Sequence, residues 1–296
     1  MKATRTIITP AALLLAALFT ASVFSLQKVE ALRGKEATLE EVLYLPSAKT
    51  LKRLSLGYTG LLADIYWTRA VQYFGSKHGQ HSTRYDLLDP LLEITTDLDP
   101  HLIVAYQDGS LFLSQPPPWG AGQPDKAADL LEKGIRNNPE YWRMYFTLGF
   151  VHYLDRHDFK AAQKAFEDGA NVPGALPFMR VMAAKMAENA EDIGTAITLW
   201  QGVFETTKDK MVRDTAVKHL DSLRADAGIA ELERRIKLYQ EKTGTLPETW
   251  ADMVRVGLLR GIPLDPSGAP FELTPDGAVQ VRDPGKFPFL GQFERK

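Results

Sequence analysis

Between Tyr141 and Pro173 the apolar positions fall at helical intervals in two runs separated by a short polar turn. In the first run Tyr145, Leu148, Gly149 and His152 recur at i, i+3, i+4 and i+7, which is one face of a helix. In the second, Ala162, Phe166 and Gly169 recur at i, i+4 and i+7. The stretch therefore predicts a helix pair. It closes at Pro173, whose missing N–H and bulky ring end a helix. Gly149 leaves a facing helix room to approach, and small residues alternate with large ones, so each helix offers the other a socket.

The same alternation extends in both directions. His101–Pro139 predicts a pair with Ala105, Gly109 and Phe112 on its first helix and Ala127, Leu131 and Gly134 on its second. Another pair starts near Ala175, marked by Phe178, Met182, Ala183 and Met186, then by Ala196, Trp200 and Val203. Upstream, Tyr44–Gly75 reads as helix with a break at Gly57-Tyr58 and with Ser47 as a candidate N-cap. Trp67, Ala70, Val71 and Phe74 lie on one face there, a loop is expected over Ser76–Thr83, and a partner helix over Arg84–Asp99. Gly149 to Ala183, Ala162 to Ala196 and Pro139 to Pro173 are each 34 residues apart. One repeat earlier the corresponding steps are 40, 35 and 39, and the two long steps are the ones that span the Pro-rich insertion Gln115–Pro124. An ordinary helical bundle predicts the same burial but no fixed period, so the spacing predicts a repeat array. Two further helices, Lys210–Ala225 and Ile229–Thr243, are expected after it, the first as a terminal cap.

From about Ala63 to Lys208 this spacing resembles the tetratricopeptide repeat. The resemblance implies stacked helix pairs wound into a curved superhelix whose first helices line a concave face that holds a protein or peptide. First-helix positions outside the packing landmarks become candidate partner contacts: Arg69, Gln72, Tyr106, Ser110, Arg143, Thr147 and Arg180. His152 sits where that family often has Tyr and reads as a packing residue. The insertion Pro116-Pro117-Pro118-Trp119-Gly120 reads as a rigid loop with Trp119 folded back on its repeat. The alternative is an extended docking segment.

Composition changes after Thr243, where Pro and Gly cluster. Thr249–Val256 predicts a short helix with Trp250, Met253 and Val254 on one side and Gly257 ending it. Asp265-Pro266-Ser267-Gly268 is turn chemistry. Phe271-Glu272-Leu273 and Val279-Gln280-Val281 alternate about a Pro275-Asp276-Gly277 turn, as in a small hairpin. Over about Leu238–Val281, with Tyr239 in the preceding helix, this order resembles the C-terminal part of type II secretion pseudopilins. In that family the loop region can bind calcium. Here only Asp265 and Asp276 are placed for it, against the six to eight oxygens calcium wants, and no metal is expected.

Ile7–Leu26 carries no charged residue. Twenty residues at about 1.5 Å each span about 30 Å, the hydrocarbon thickness of a bilayer. An uncleaved signal anchor is the expectation. A cleaved signal peptide with a weak Thr20-Ala21-Ser22 site, or a buried helix, are the alternatives. Lys2 and Arg5 favour a cytoplasmic N-terminus, blunted by Lys28, Arg33 and Lys35. The segment has no type IV prepilin processing site.

Net charge of −2 is too weak for a general nucleic-acid binder. The absence of Cys excludes disulfides, thiolate zinc sites, a Cys nucleophile and a lipoprotein anchor. His78 and His81 have a His-x-x-His spacing, but only Asp86 is near enough to join them. No phosphate-binding loop, dinucleotide fingerprint, nucleophile elbow or His-Glu-x-x-His is present. The Glu40-Glu41 and Glu93/Asp97 carboxylate pairs read as solvated helix faces. The expectation is a mainly α protein: an anchor over 1–27, a linker and helix over 28–62, a tetratricopeptide-like solenoid of about four helix pairs over 63–225, and a small α+β module over 226–296. The function expected is that of a non-catalytic scaffold without cofactor, in the cytoplasmic membrane by a single pass, its bulk periplasmic and bound to an unidentified protein or peptide. The alternative is a structural or assembly component of a secretion or pilus-like apparatus.

Overall fold

The computed structural model describes residues 17–25, 28 and 47–291. Met1–Thr50 and Leu51–Lys296 form separate units. In the first, residues 17–25 are helical and exposed; the expected span over 7–26 otherwise lies outside the described residues, as does nearly all of the charged connector. No helix among the described residues is long and apolar enough to cross a membrane.

The chain is mainly helical, and its helices pack in sequence order. Helix α1 (Ala48–Leu54) starts where the Ser47 hydroxyl accepts from Thr50 N–H at 3.2 Å. Leu56 and Gly57, both at positive φ, then turn the chain into α2 (Thr59–Gly79). The expected loop at Ser76 is instead another helical turn, held by Phe74 stacked on His78, and the chain turns only at His81 (φ 51°). Helix α3 (Leu88–Leu98) is shorter than expected at its start. Helix α4 (Ile103–Ser114) leads through the Pro-rich insertion to α5 (Pro124–Asn137), with Pro124 in the first turn, where its missing N–H costs nothing. In the insertion the Trp119 ring lies 5.5 Å from that of His78, and the Tyr85 hydroxyl donates to Pro118 O at 2.9 Å. The loop is folded back on the first pair.

Helix α6 (Trp142–Phe150) runs into a π-helical turn, Val151–Asp155, before α7 (Phe159–Ala170), which Asp158 caps. Helices α8 (Phe178–Asn189) and α9 (Ile193–Thr206) make the next pair. The sockets read from the sequence are real. A Cβ on Gly149 would lie 2.6 Å from the Phe166 ring. Gly134 abuts Tyr106 and Met144, and Gly169 abuts Tyr145 and Met179. Each of these two glycines therefore meets a Tyr from its own pair and a Met from the next. The same contact recurs, which is how a pair unable to bury both its faces is stabilised by its neighbour.

Helix α10 corrects the expectation of two helices: Lys210–Thr243 is one helix of 34 residues, about 51 Å long. Gly228 does not break it. Its missing Cβ admits the Phe271 ring, which a Cβ would meet at 2.9 Å. The expected boundary at 225/226 thus falls inside a continuous helix. Gly244 ends α10 in the left-handed conformation (φ 78°). Helix α11 (Trp250–Arg255) opens with a Thr249/Asp252 capping box. Strands β1 (Glu272–Leu273) and β2 (Val279–Gln280) pair antiparallel, Glu272 opposite Gln280. Leu232, Ile236, Trp250, Met253, Phe271, Val279 and Phe287 form a second core against the C-terminal half of α10. Trp250 Nε1 donates to Phe271 O at 2.8 Å within it.

Candidate functional site

The candidate contacts divide into surface and core. Arg69 and Gln72 are exposed on α2, Arg143 on α6 and Arg180 on α8. The Arg69 guanidinium lies over the Tyr66 ring at 5.3 Å and that of Arg143 over Trp142 at 4.7 Å. Both cations keep their donors outward on aromatic platforms. Thr147 is half-buried and donates to Arg143 O at 3.0 Å. Tyr106 and Ser110 are both 0% exposed. Tyr106 fills the space beside Gly134, and Ser110 Oγ donates to Gln107 O at 2.7 Å. These two present no surface to a partner. The reason is that α4 is packed on more than one side, against α5 and α3, so its buried stripe includes Ala105, Tyr106, Gly109, Ser110 and Leu113. A single amphipathic face is the wrong template for an inner helix of a stack.

Two grooves recur along the array at equivalent places. One, of about 380 Å³, lies between α5, α6 and α7 and is lined by Glu132, Arg136, Tyr145, His152 and Lys164. The other, of about 260 Å³, lies between α7, α8 and α9 and includes Arg180, Asn171, Thr198 and Leu199. In the first groove the charges are largely paired. Lys164 reaches Asp168 at 3.1 Å, and Arg156 reaches Asp125 at 2.9 Å. Arg156 also donates to His152 Nδ1 at 2.9 Å. Burial, with Arg156 beside it, holds the His152 imidazole below its ordinary range, so it stays neutral and accepts. The Glu93/Asp97 pair likewise is more than a solvated face: both carboxylates hold Lys133 Nζ, at 2.7 and 2.6 Å, and tie α3 to α5.

The densest polar arrangement lies where the array meets α10, and helix-by-helix reading missed it. Glu188, on α8, is 1% exposed. Its Oε1 accepts from Trp200 Nε1 and from His219 Nδ1, both at 2.6 Å, and its Oε2 from Lys185 Nζ at 2.8 Å. Burial alone would raise this carboxyl, but the hydrogen bonds from His219 and Lys185 outweigh it and hold it below the usual range. The His219 ring is stacked between Trp200, at 4.1 Å, and Phe289, at 3.7 Å. Phe289 N–H donates to Ser222 Oγ at 3.3 Å and Gly291 N–H to Asp226 Oδ1 at 3.1 Å. The chain after the hairpin is thus strapped back along α10. A signal existed: Glu188 is a carboxylate among buried positions otherwise held by Met179, Ala183, Ala184, Met186 and Ala187.

Beside the strap opens a groove of about 700 Å³. Ile193, Ile229, Val279, Val281 and Leu290 are among its walls, and Glu191, Asp226 and Glu233 its acidic groups. Burial pushes the Asp226 carboxyl up, in part offset by the Gly291 N–H. Glu191 sits in the α8–α9 turn at φ 58°, a conformation uncommon for a residue with a Cβ. Among the described residues no three His, Asp or Glu gather to hold a metal ion. His78 and His81 diverge into helix and turn, and Asp265 Oδ1 accepts from Ser267 and Ala269 of its own turn.

No protein-family model matches the chain, and no curated protein matches it.

Proposed function

We propose that this chain is a non-catalytic scaffold of tetratricopeptide type, held at the outer face of the cytoplasmic membrane by its N-terminal apolar stretch, and that its helical array binds a protein or peptide. The observation that carries the reading is the recurrence of one inter-helix contact. The glycines of α5 and α7 each receive a Tyr and a Met, and grooves of the same helix composition follow at the same interval. Such a stack presents a long, regular, side-chain-rich surface, which suits extended partners better than small molecules. Arg69, Arg143 and Arg180 are among its exposed cations. The membrane and periplasmic parts of the reading rest on the uncharged run Ile7–Leu26. The test is site-specific photo-crosslinking from positions 69, 143 and 180 in the full chain, expressed in a bacterial host. The expected result is one shared protein adduct from all three. Adducts that differ at random among the positions, or none, would overturn it.

A second reading is favoured by the C-terminal module, whose long helix, short capped helix, Asp265–Gly268 turn and hairpin follow the order that resembles pseudopilins. In that reading the module packs against components of a secretion or pilus-like apparatus. Deleting Lys242–Lys296 abolishes assembly under the second reading and spares array crosslinks under the first.

A further inference from the structure

The groove beside the strap differs from the two grooves along the array. Its volume, about 700 Å³, lies within the range of specific ligand sites, whereas the others fall at or near its lower limit. Its apolar walls come from three separate parts of the chain: Ile193 after the α8–α9 turn, Ile229 on α10, and Val279, Val281 and Leu290 from the hairpin and strap. Its charge is one-sided, with three carboxylates and no Lys, Arg or His in the lining. Among the described residues neither Glu191 nor Asp226 has an ion-pair partner, in contrast to the paired charges of the α5–α7 groove.

We propose that this groove binds a protein segment in which an arginine or lysine is flanked by aliphatic side chains, the cation meeting Asp226 and Glu191 and the aliphatic groups covering Ile193, Ile229 and Leu290. Charge complementarity selects the cation. Asp226 is half-buried and its oxygens already hold Gly291 N–H, so a cation placed there is partly desolvated and counts for more than at an open surface. The aliphatic walls select against a bare polyamine or metal ion, which would leave them uncovered. Because Leu290 and Gly291 belong to the strap, the ligand also rests against the segment stacked on His219. The proposal relies on the scaffold reading only in taking a protein segment as ligand, and its groove is distinct from the array surface probed at positions 69, 143 and 180.

The experiment is selection from a random peptide library displayed on phage against the full chain in detergent, followed by fluorescence anisotropy with the winning peptides. The expected winners carry Arg or Lys next to Ile, Leu or Val. Their affinity falls about tenfold or more in Asp226→Asn and in Glu191→Gln and is lost in Ala230→Trp, which fills the groove from an exposed position. Glu191 and Ala230 are exposed, so these two variants keep the test valid if Asp226→Asn destabilises the strap. Neutral or acidic winners, no winners, or cationic winners bound equally by all three variants would overturn the proposal. The photo-crosslinking test can succeed or fail independently of each of these outcomes.

Discussion

The α6–α7 pair and the junction of α8, α9 and α10 are both well packed, but by opposite means. In α6–α7 the fit is steric: Gly149 receives the Phe166 ring, and Phe146 and Phe150 meet that ring edge-on at 6.2 and 5.2 Å. Every partner lies close in sequence. At the junction the fit is polar: one buried carboxylate gathers Trp200, His219 and Lys185, and an aromatic stack reaches on to Phe289. Its partners span more than a hundred residues of chain. A steric socket tolerates an error in proportion to the overlap. A buried charge tolerates loss of its partners badly, because the penalty is desolvation of what remains.

Replacing Glu188 should therefore be the most damaging single change. Glu188→Leu leaves the His219 and Trp200 donors without their buried acceptor and should cost about 3–5 kcal/mol, measured by urea denaturation. If instead stability is unchanged, the polar account of the junction is wrong. Gly149→Ala should come next, at about 1–3 kcal/mol, since the new Cβ must displace a buried ring. Its thermal midpoint should recover in a Gly149→Ala/Phe166→Leu double variant, and a failure to recover would show that the clash lies elsewhere.

Phe289→Ala should cost about 1–2 kcal/mol through lost stacking and burial. It should raise hydrogen exchange selectively after the hairpin, leaving α6 and α7 protected; uniform loosening would erase the distinction between the regions. Acid should act on the junction and not on the sockets. The Glu188 carboxyl is held below its ordinary value of 4.5. Its contribution is accordingly complete above that value and lost as pH falls through the depressed one. Stability followed by denaturant titration from pH 6 to pH 3 should drop, and Glu188→Gln should flatten that drop. Smallest of all, Arg180→Ala should change stability by less than about 0.5 kcal/mol, since Arg180 is exposed and ends no network. A larger effect would move it from the surface set to the core.

The legibility of the chain follows the same division. Gly149, Ala162 and Gly169 could be read as packing points because their partners recur at a fixed interval, and the hairpin and α11 because their turn and cap residues are local. The gap expected between Ala225 and Ile229 does not exist: Gly228 lies inside α10, where the Phe271 ring occupies the space its missing Cβ leaves, and that contact is distant in sequence. Tyr106 and Ser110 read as surface because one helical face was assumed where α4 buries more. The strap was silent: nothing near Phe289 indicates that His219 awaits it.

The sequence by itself thus determined the helix pairs, their period, the sockets and the C-terminal turns, because each depends on residues within one turn, one helix pair or the pair next to it. Only the tertiary structure decided that α10 runs unbroken, that Glu188 is the hub of a buried polar network, and that a one-sided acidic groove opens beside the strap. Those features depend on pairings between distant segments, which backbone periodicity does not encode and which become definite only when burial removes water as the alternative partner.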